Sequence, residues 1–125
     1  MDLFGRSLFI LIVDDNRDCA TTLALLLRLA GFEVETVHDG WEALRIAKAR
    51  RPDVVLLDIG LPGLDGFQVA EAMRNDANLK NVYIIAISGY DRDMFQGRSR
   101  RSGFDLHLVK PVDFDTLNSL IAGLR

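Results

Sequence analysis

Three short runs of branched aliphatic residues constrain the fold of this chain more than any other feature of its sequence. The runs cover residues 8–13, 54–57 and 82–87, and each is followed by an acidic residue or a serine. Near-continuous apolar runs of this length are typical of strands buried on both faces, as in a parallel sheet. Two weaker runs, at residues 33–37 and 105–109, alternate polar and apolar residues, which predicts strands nearer the edges of that sheet.

Helical patterns separate the predicted strands. The clearest covers residues 17–30, and Gly31 can serve as the C′ residue that ends this helix. The weakest covers residues 91–102, where Gly97 interrupts a segment with few apolar positions. Three other helices begin at aspartates that can act as N-caps, namely Asp39, Asp65 and Asp113. The predicted apolar faces consist of Leu23, Leu26, Leu27 and Ala30, then Leu44 and Ala47, then Phe67, Ala70 and Met73, and finally Phe114, Leu117, Leu120, Ile121 and Leu124.

The alternation of strands and helices predicts the fold class. A strand followed by a helix, repeated along the chain, is the order of an α/β protein with helices on both faces of a parallel sheet. The sequence therefore predicts a doubly wound three-layer sandwich. A chain of 125 residues, 49% of them hydrophobic, suffices for one such unit and is too short for two. We expect a single domain over residues 1–125, with residues 1–7 as a flexible leader and no output domain.

Charge and composition exclude several classes of function. The formal net charge of −3 provides no basic field for a nucleic-acid backbone, so direct nucleic-acid binding is not expected. The single cysteine, Cys19, cannot form an internal disulfide and has no Cys or His neighbour at metal-ligand spacing. The longest apolar run, residues 8–13, is far shorter than the roughly 20 residues of a membrane span. We therefore expect a cytoplasmic protein without a membrane partner.

Polar residues that follow the predicted strands carry the candidate chemistry. In an open parallel sheet, ligands bind beyond the carboxyl ends of the strands. The first strand is followed by Asp14 and Asp15, the third by Asp58, the fourth by Ser88 and the fifth by Lys110. Three carboxylates, a hydroxyl and an ammonium group would therefore meet at one end of the sheet.

These groups predict a metal-assisted phosphoryl site. Clustered carboxylates repel one another unless a cation lies among them, and a small set of oxygen ligands suits Mg²⁺ better than Ca²⁺. Lys110 adds a positive charge suited to a phosphoryl oxygen. A carboxylate in this setting can attack phosphorus and form an acyl phosphate. Asp58, alone after the central strand, is the candidate nucleophile, while Asp14 and Asp15 are better placed to hold the metal and its water.

The ordered set of motifs resembles the response-regulator receiver family of two-component signalling. The resemblance covers residues 10–124. The matching positions are Asp14 and Asp15 for the acidic pair, Asp58 within residues 58–66 for the phosphoacceptor, Ser88 for the switch hydroxyl, and Lys110 with Pro111 for the lysine-proline pair. The resemblance implies the flavodoxin-like strand order 2-1-3-4-5 for the five-stranded sheet.

The resemblance also implies a ligand set and partners. Mg²⁺ would be bound by Asp15, Asp58 and the backbone carbonyl of Gly60, with Asp14 acting through water, and the peptide bond before Pro111 would be cis. A histidine kinase or histidine phosphotransfer protein would donate the phosphoryl group, with a downstream protein as a further partner. The implied protein is a switch that promotes its own phosphorylation and dephosphorylation, and is not otherwise an enzyme.

A conformational switch is implied as well. Phosphorylated Asp58 would draw in the Ser88 hydroxyl, and the space left behind would be filled by an aromatic residue of the fifth strand, which is here His107. Histidine is less usual at this position, and it could make the inward state sensitive to pH. Other departures, which affect the lifetime of the phosphoryl group, are Leu61 in place of methionine, Gly89 in place of alanine, and Tyr90.

Several alternatives remain open from the sequence. A small phosphohydrolase with an aspartyl-phosphate intermediate would need a second aspartate at position 60, where Gly60 stands, and a docking-only relative would lack one of the key groups. Asp15 or Asn16 could instead cap the first helix, Ser88 could belong to a turn, and His107 could be a packing residue. A surface patch for an acidic partner could be formed by Arg92, Arg98, Arg100 and Arg101. The cognate kinase, the output and the oligomeric state are not determined, nor whether the chain is a stand-alone regulator or part of a hybrid kinase.

Overall fold

A computed structural model of the chain describes residues 8–89 and 103–124. The described strands are β1 (Phe9–Val13), β2 (Glu33–Val37), β3 (Val54–Asp58), β4 (Tyr83–Ser88) and β5 (Leu106–Val109). The described helices are α1 (Arg17–Leu29), α2 (Gly40–Arg50), α3 (Gly66–Arg74) and α4 (Phe114–Ala122). The predicted leader at residues 1–7, Tyr90, the helix predicted at residues 91–102 and the arginine patch within it lie outside the described residues.

The five strands form one parallel sheet in the order β2-β1-β3-β4-β5. This confirms the implied strand order and the predicted α/β class. The central strands β1 and β3 are buried along their whole length, whereas β2 and β5 at the two edges are partly exposed. The prediction that the alternating runs would form edge strands is therefore confirmed, since an edge strand pairs on one side alone.

Alternating residues of the strands enter two separate cores. Ile10 and Ile12 of β1 pack with α1 and α4, where Leu27, Leu117 and Ile121 are fully buried. Their neighbours in the strand, which face the opposite side, pack with the buried residues of α2 and α3. Because successive strand side chains point to opposite faces, a continuous apolar run supplies both layers of helices. The result is the predicted three-layer sandwich.

Each described helix begins at a polar N-cap. Asn16, Asp39, Asp65 and Asp113 each accept a hydrogen bond from the backbone N–H three residues further on. Asp65 also forms a capping box with Gln68. The three predicted aspartate caps are confirmed, and Asn16 caps the first helix, which leaves the Asp15 carboxylate available for the site at the carboxyl end of the sheet.

Two predicted helix faces are partly wrong. In α1, Ala20 and Ala24 are buried beside Leu27, while Leu26 and Ala30 are exposed. In α4, Leu117 and Ile121 are buried, while the other two leucines of the predicted stripe, Leu120 and Leu124, are each 38% exposed. Each helix meets the sheet along a stripe narrower than its apolar face, and in α1 that stripe includes the small residues Ala20 and Ala24. The face predicted for α3 is confirmed in full.

Two aspartates link neighbouring strands at the amino end of the sheet by hydrogen bonds. Asp53, before β3, accepts a 2.7 Å hydrogen bond from Phe9 N of β1, and Asp105, before β5, accepts one of 2.7 Å from Ile84 N of β4. Asp105 also forms an ion pair with Arg74 at 2.7 Å. Arg74 in turn donates to the backbone carbonyls of Lys80 and Val82, which precede β4, and of Gly103, which precedes β5. These carboxylates serve as caps of neighbouring strands, a role that no local sequence pattern indicates.

Within the described ranges, no helix has both the length and the apolar character needed to cross a membrane.

Candidate functional site

Three of the predicted site carboxylates meet at the carboxyl end of the sheet. Asp14 and Asp15 follow β1, and Asp58 is the last residue of β3, the strand that pairs with β1. One carboxylate oxygen from each residue lies within 4.8 Å of the other two. Parallel pairing of β1 with β3 brings residues that are more than forty positions apart in sequence to the same point. The predicted convergence of the acidic doublet and the lone aspartate is therefore present.

Lys110 supplies positive charge to this cluster. Its Nζ lies 3.3 Å from Asp58 Oδ2 and 3.6 Å from Asp14 Oδ2. The backbone N–H of Lys110 donates a 2.7 Å hydrogen bond to the carbonyl oxygen of Ser88, which holds the end of β5 against the end of β4. The peptide bond between Lys110 and Pro111 is cis, as the resemblance implied.

Asp58 is buried and hydrogen-bonded within the site. Asp58 is 8% exposed, and its Oδ1 accepts a 2.9 Å hydrogen bond from Gly60 N in the turn that follows β3. Gly66 packs directly on the backbone of this strand end, because a Cβ there would lie 2.7 Å from the carbonyl oxygen of Asp58. The loop between them therefore returns to the backbone of the phosphoacceptor candidate, where a larger residue than glycine would clash. That the Gly60 carbonyl binds a metal remains a prediction.

Burial and charge shift the proton affinities of two site residues. Burial raises the pKa of the Asp14 carboxyl, and the negative charge of Asp58 raises it further against the lowering effects of the Asn16 N–H and Lys110. For Lys110, burial lowers the pKa, but the charges of Asp58 and Asp14 outweigh burial and raise it above its ordinary value. The site thus keeps its lysine charged and still carries excess negative charge.

A small hard cation fits this arrangement. The donor set consists of carboxylate oxygens. The pKa of Asp14 is raised first by burial and then by repulsion from Asp58, which the charge of Lys110 opposes. Asp58 is buried, whereas Asp15 is exposed and leaves one side open to water. Mg²⁺ prefers sites of this kind, in which a few protein oxygens bind the ion and water molecules complete its coordination.

Ser88 and His107 are directly linked. Ser88 is the last residue of β4 and 1% exposed, so the alternative that it belongs to a turn is wrong. Its Oγ shares a 2.9 Å hydrogen bond with Nε2 of the half-buried His107 in β5. The neighbouring Ile87 pairs with Asp58, so Ser88 lies on the strand beside the phosphoacceptor candidate. The resemblance implied a steric relation between these two residues, and the structure adds a polar one.

One further residue at the site was missed from the sequence. His38, which follows β2, places Nδ1 3.0 Å from the backbone carbonyl oxygen of Asp14. No local motif marks this contact, because it joins residues 24 positions apart across the ends of two strands. Two of the positions that differ from the family pattern are described by the structure. Leu61 is buried in the core beneath α2 and α3, and Gly89 is exposed directly after β4.

Comparisons with known proteins agree with this geometry. Residues 10–122 match the family profile of the response regulator receiver domain. The transcriptional regulatory protein PrrA of Mycobacterium tuberculosis is 42% identical over 125 residues, which is all of this chain and 52% of PrrA. Protein PilH of Pseudomonas aeruginosa is 35% identical over 118 residues, covering 91% of this chain and 98% of PilH. The chain thus spans nearly all of PilH but about half or less of several other curated relatives.

A solved structure shows the same fold. The receiver domain of the sensor histidine kinase PA1611 from Pseudomonas aeruginosa, solved with a magnesium ion coordinated in its active-site cleft, superposes with a TM-score of 0.87. It is 30% identical and covers 95% of this chain and 98% of its own. With the family profile matching most of the chain, the conclusion is that this protein belongs to the response regulator receiver domains, the phosphorylatable switches of two-component signalling.

Proposed function

We propose that Asp58 is the residue of this receiver domain that accepts the phosphoryl group. The observation that carries the proposal is the buried Asp58 carboxylate, with Lys110 Nζ 3.3 Å from Oδ2 and two further carboxylates within 4.8 Å. Asp14 is the weaker candidate, because Lys110 Nζ lies farther from its Oδ2, at 3.6 Å. Asp15 is exposed, whereas Asp58 is buried.

The transfer can be written so that bonds and charges balance. A carboxylate oxygen of Asp58 forms a bond to phosphorus while the bond from phosphorus to the donor's imidazole nitrogen breaks. The electron pair of that bond stays with the imidazole, which then takes up a proton. Lys110, already beside Asp58 Oδ2, binds a phosphoryl oxygen and stabilises the charge that develops there.

Asp15 and Asp58, together with the Gly60 carbonyl, would hold Mg²⁺, and Asp14 would act through a water molecule. When bound, the ion neutralises negative charge on the transferred phosphoryl oxygens. The oxygen-only donor set and its excess negative charge support this assignment.

The donor would be a histidine kinase or a histidine phosphotransfer protein in the cytoplasm. A cavity of about 570 Å³ opens beside the site between α1 and the segment after β5. Asp14 and Lys110 form its polar end, and Leu23, Leu26 and Phe114 form its apolar wall. A donor protein resting on this wall would have direct access to the phosphoacceptor end of the sheet.

Transmission of the signal would use Ser88 and His107. After phosphorylation, the Ser88 hydroxyl would donate to a phosphoryl oxygen in place of its present bond with His107 Nε2. The exchange would release His107 in β5 and alter the surface formed by β4 and β5 for a downstream protein. Slow self-dephosphorylation by water would reset the switch. The phosphohydrolase alternative is not supported, because Gly60 carries no acid or base.

Phosphorylation by a small acyl-phosphate donor tests the assignment of Asp58. The wild-type protein should gain the mass of one phosphoryl group in the presence of Mg²⁺ and lose this gain when Mg²⁺ is chelated. Asp58→Asn should gain none. Asp53→Asn is the matched control, because it makes the same chemical change at the other end of the sheet and should be labelled like the wild type. Equal labelling of Asp58→Asn and wild type would rule out the assignment.

A further inference from the structure

We propose that His38 is a positioning residue of the metal site, which holds the backbone of Asp14 so that the acidic doublet faces Asp58. This inference rests on the proposed metal-dependent function and adds a residue to it. His38 Nδ1 lies 3.0 Å from the carbonyl oxygen of Asp14. Since a carbonyl oxygen can only accept, Nδ1 must carry the hydrogen, which fixes the donor role of the ring at this contact.

Both polar backbone groups of Asp14 are held by consecutive residues of the neighbouring strand end. The N–H of Asp14 donates to the carbonyl oxygen of Val37 at 3.1 Å, and its carbonyl accepts from His38. The carboxylate is oriented from the other side, where Oδ1 accepts from Asn16 N at 2.9 Å. With its main chain fixed at two points and its side chain at a third, Asp14 has little freedom to turn away from Asp58.

The topology explains why a side chain makes this contact. The β1–β2 ladder ends at the pair Val13 and Val37, and Asp39 is already the N-cap of α2. The chain therefore turns away from β1 just where the carbonyl of Asp14 would require the next backbone donor. His38, the single residue between the ladder and the cap, supplies that donor from its ring. Without it, this half-buried carbonyl loses a partner and the loop that carries Asp14 and Asp15 loses one of its restraints.

Mg²⁺ binding to the complete chain tests the inference by calorimetric titration, without any need for phosphorylation. His38→Leu removes the donor and keeps an apolar side chain of moderate size. We expect its Mg²⁺ dissociation constant to rise about tenfold, the lower end of the effect of removing groups that orient metal ligands. His38→Asn places an amide N–H near the position of Nδ1 and should recover most of the affinity.

A control variant separates positioning from general loss of stability. Asp53→Ala removes a hydrogen bond from a side chain to the backbone at the opposite end of β1, and should lower the unfolding free energy while leaving Mg²⁺ affinity unchanged. Should His38→Leu fail to fold, His38→Phe, which keeps a ring without the donor, provides the same comparison. Wild-type affinity in His38→Leu, an equal affinity loss in Asp53→Ala, or no recovery in His38→Asn would each overturn the inference.

The outcomes also distinguish this inference from the proposed function. If wild type binds Mg²⁺ and is labelled at Asp58 while His38→Leu binds equally well, the role of His38 fails and the proposed function stands. If wild type binds no Mg²⁺, the proposed metal site fails, and the inference fails with it.

Discussion

The two ends of the sheet use aspartates in opposite ways. At the amino end, Asp53 and Asp105 each follow a loop and accept a backbone N–H from the adjacent strand, and Asp105 has Arg74 beside it. At the carboxyl end, Asp14 and Asp58 lie close to each other and share one lysine. The first pair accepts hydrogen bonds from the backbones of neighbouring strands. Each carboxylate of the second pair accepts an N–H from its own loop, but the two carboxylates also lie close enough to repel each other.

This difference separates stability from function within one element. Carboxylates with hydrogen-bonded backbone partners stabilise the fold, because their charge is used where the strands meet. Carboxylates that face one another destabilise the folded state, and the same negative charge would favour a cation at the proposed metal site. We therefore expect substitutions at the amino end to lower stability without changing the chemistry. Substitutions at the carboxyl end should change the chemistry and, where they remove a repelling carboxylate, raise stability.

Lys110→Met should give the largest functional effect. Loss of the ammonium group 3.3 Å from Asp58 Oδ2 removes a stabilising charge for the transferred phosphoryl group, so phosphorylation should slow by about 100-fold. The rate of mass gain with a small acyl-phosphate donor measures this. Arg74→Met is the control cation at the amino end, and it should lower stability without slowing phosphorylation of the folded protein. Equal slowing in both variants would contradict the comparison.

Asp105→Ala should lower the unfolding free energy by about 2 kcal/mol, because the N–H of fully buried Ile84 loses its acceptor. Arg74 loses a partner in the same variant. Denaturant unfolding measures the change, and Asp105→Asn, which keeps an acceptor oxygen without the charge, should recover part of it. Phosphorylation of the folded Asp105→Ala protein should match that of wild type, and a large loss of labelling would contradict this view of the amino end.

Asp14→Asn should raise the unfolding free energy at neutral pH by a modest amount, because it removes a partly buried charge beside Asp58. The folded protein binds the Asp14 proton more tightly than the unfolded chain, whose pKa is near 3.8. The stability associated with that proton is therefore present at low pH and is lost as pH rises through the raised folded pKa. The advantage of the variant should grow over the same interval and shrink when Mg²⁺ is added. An advantage that is independent of pH would contradict the assigned cause.

The Ser88–His107 bond should give the smallest effect. A bond that is exchanged during switching need not contribute much to the fold, and we expect a coupling of about 0.5 kcal/mol between Ser88→Ala and His107→Phe in a double-mutant cycle of unfolding free energies. In the phosphorylated protein the coupling should vanish, because Ser88 would then face the phosphoryl group. A coupling unchanged by phosphorylation would argue against the proposed exchange.

Most of the fold and of the site could be predicted from sequence, for identifiable reasons. Continuous apolar runs indicated the central strands, and the aspartates before the helices indicated their caps, because both signals are local. The exposure of Leu26 and Leu120 could not be predicted, since it depends on how wide a stripe of each helix the sheet covers. The contacts of His38, Asp53 and Asp105 could not be predicted from the sequence either, because each joins residues that are distant along the chain.

The sequence by itself determined the class of the sheet, the order of the chemical groups along it and, through their resemblance to a known family, the reaction they suit. The tertiary structure decided which of these groups touch: Lys110 with both Asp14 and Asp58, Ser88 with His107, and His38 with the Asp14 backbone. The physical reason is that strand periodicity and caps are set by neighbours along the chain. Contacts at the strand ends depend instead on pairing register and on where each loop leaves the sheet.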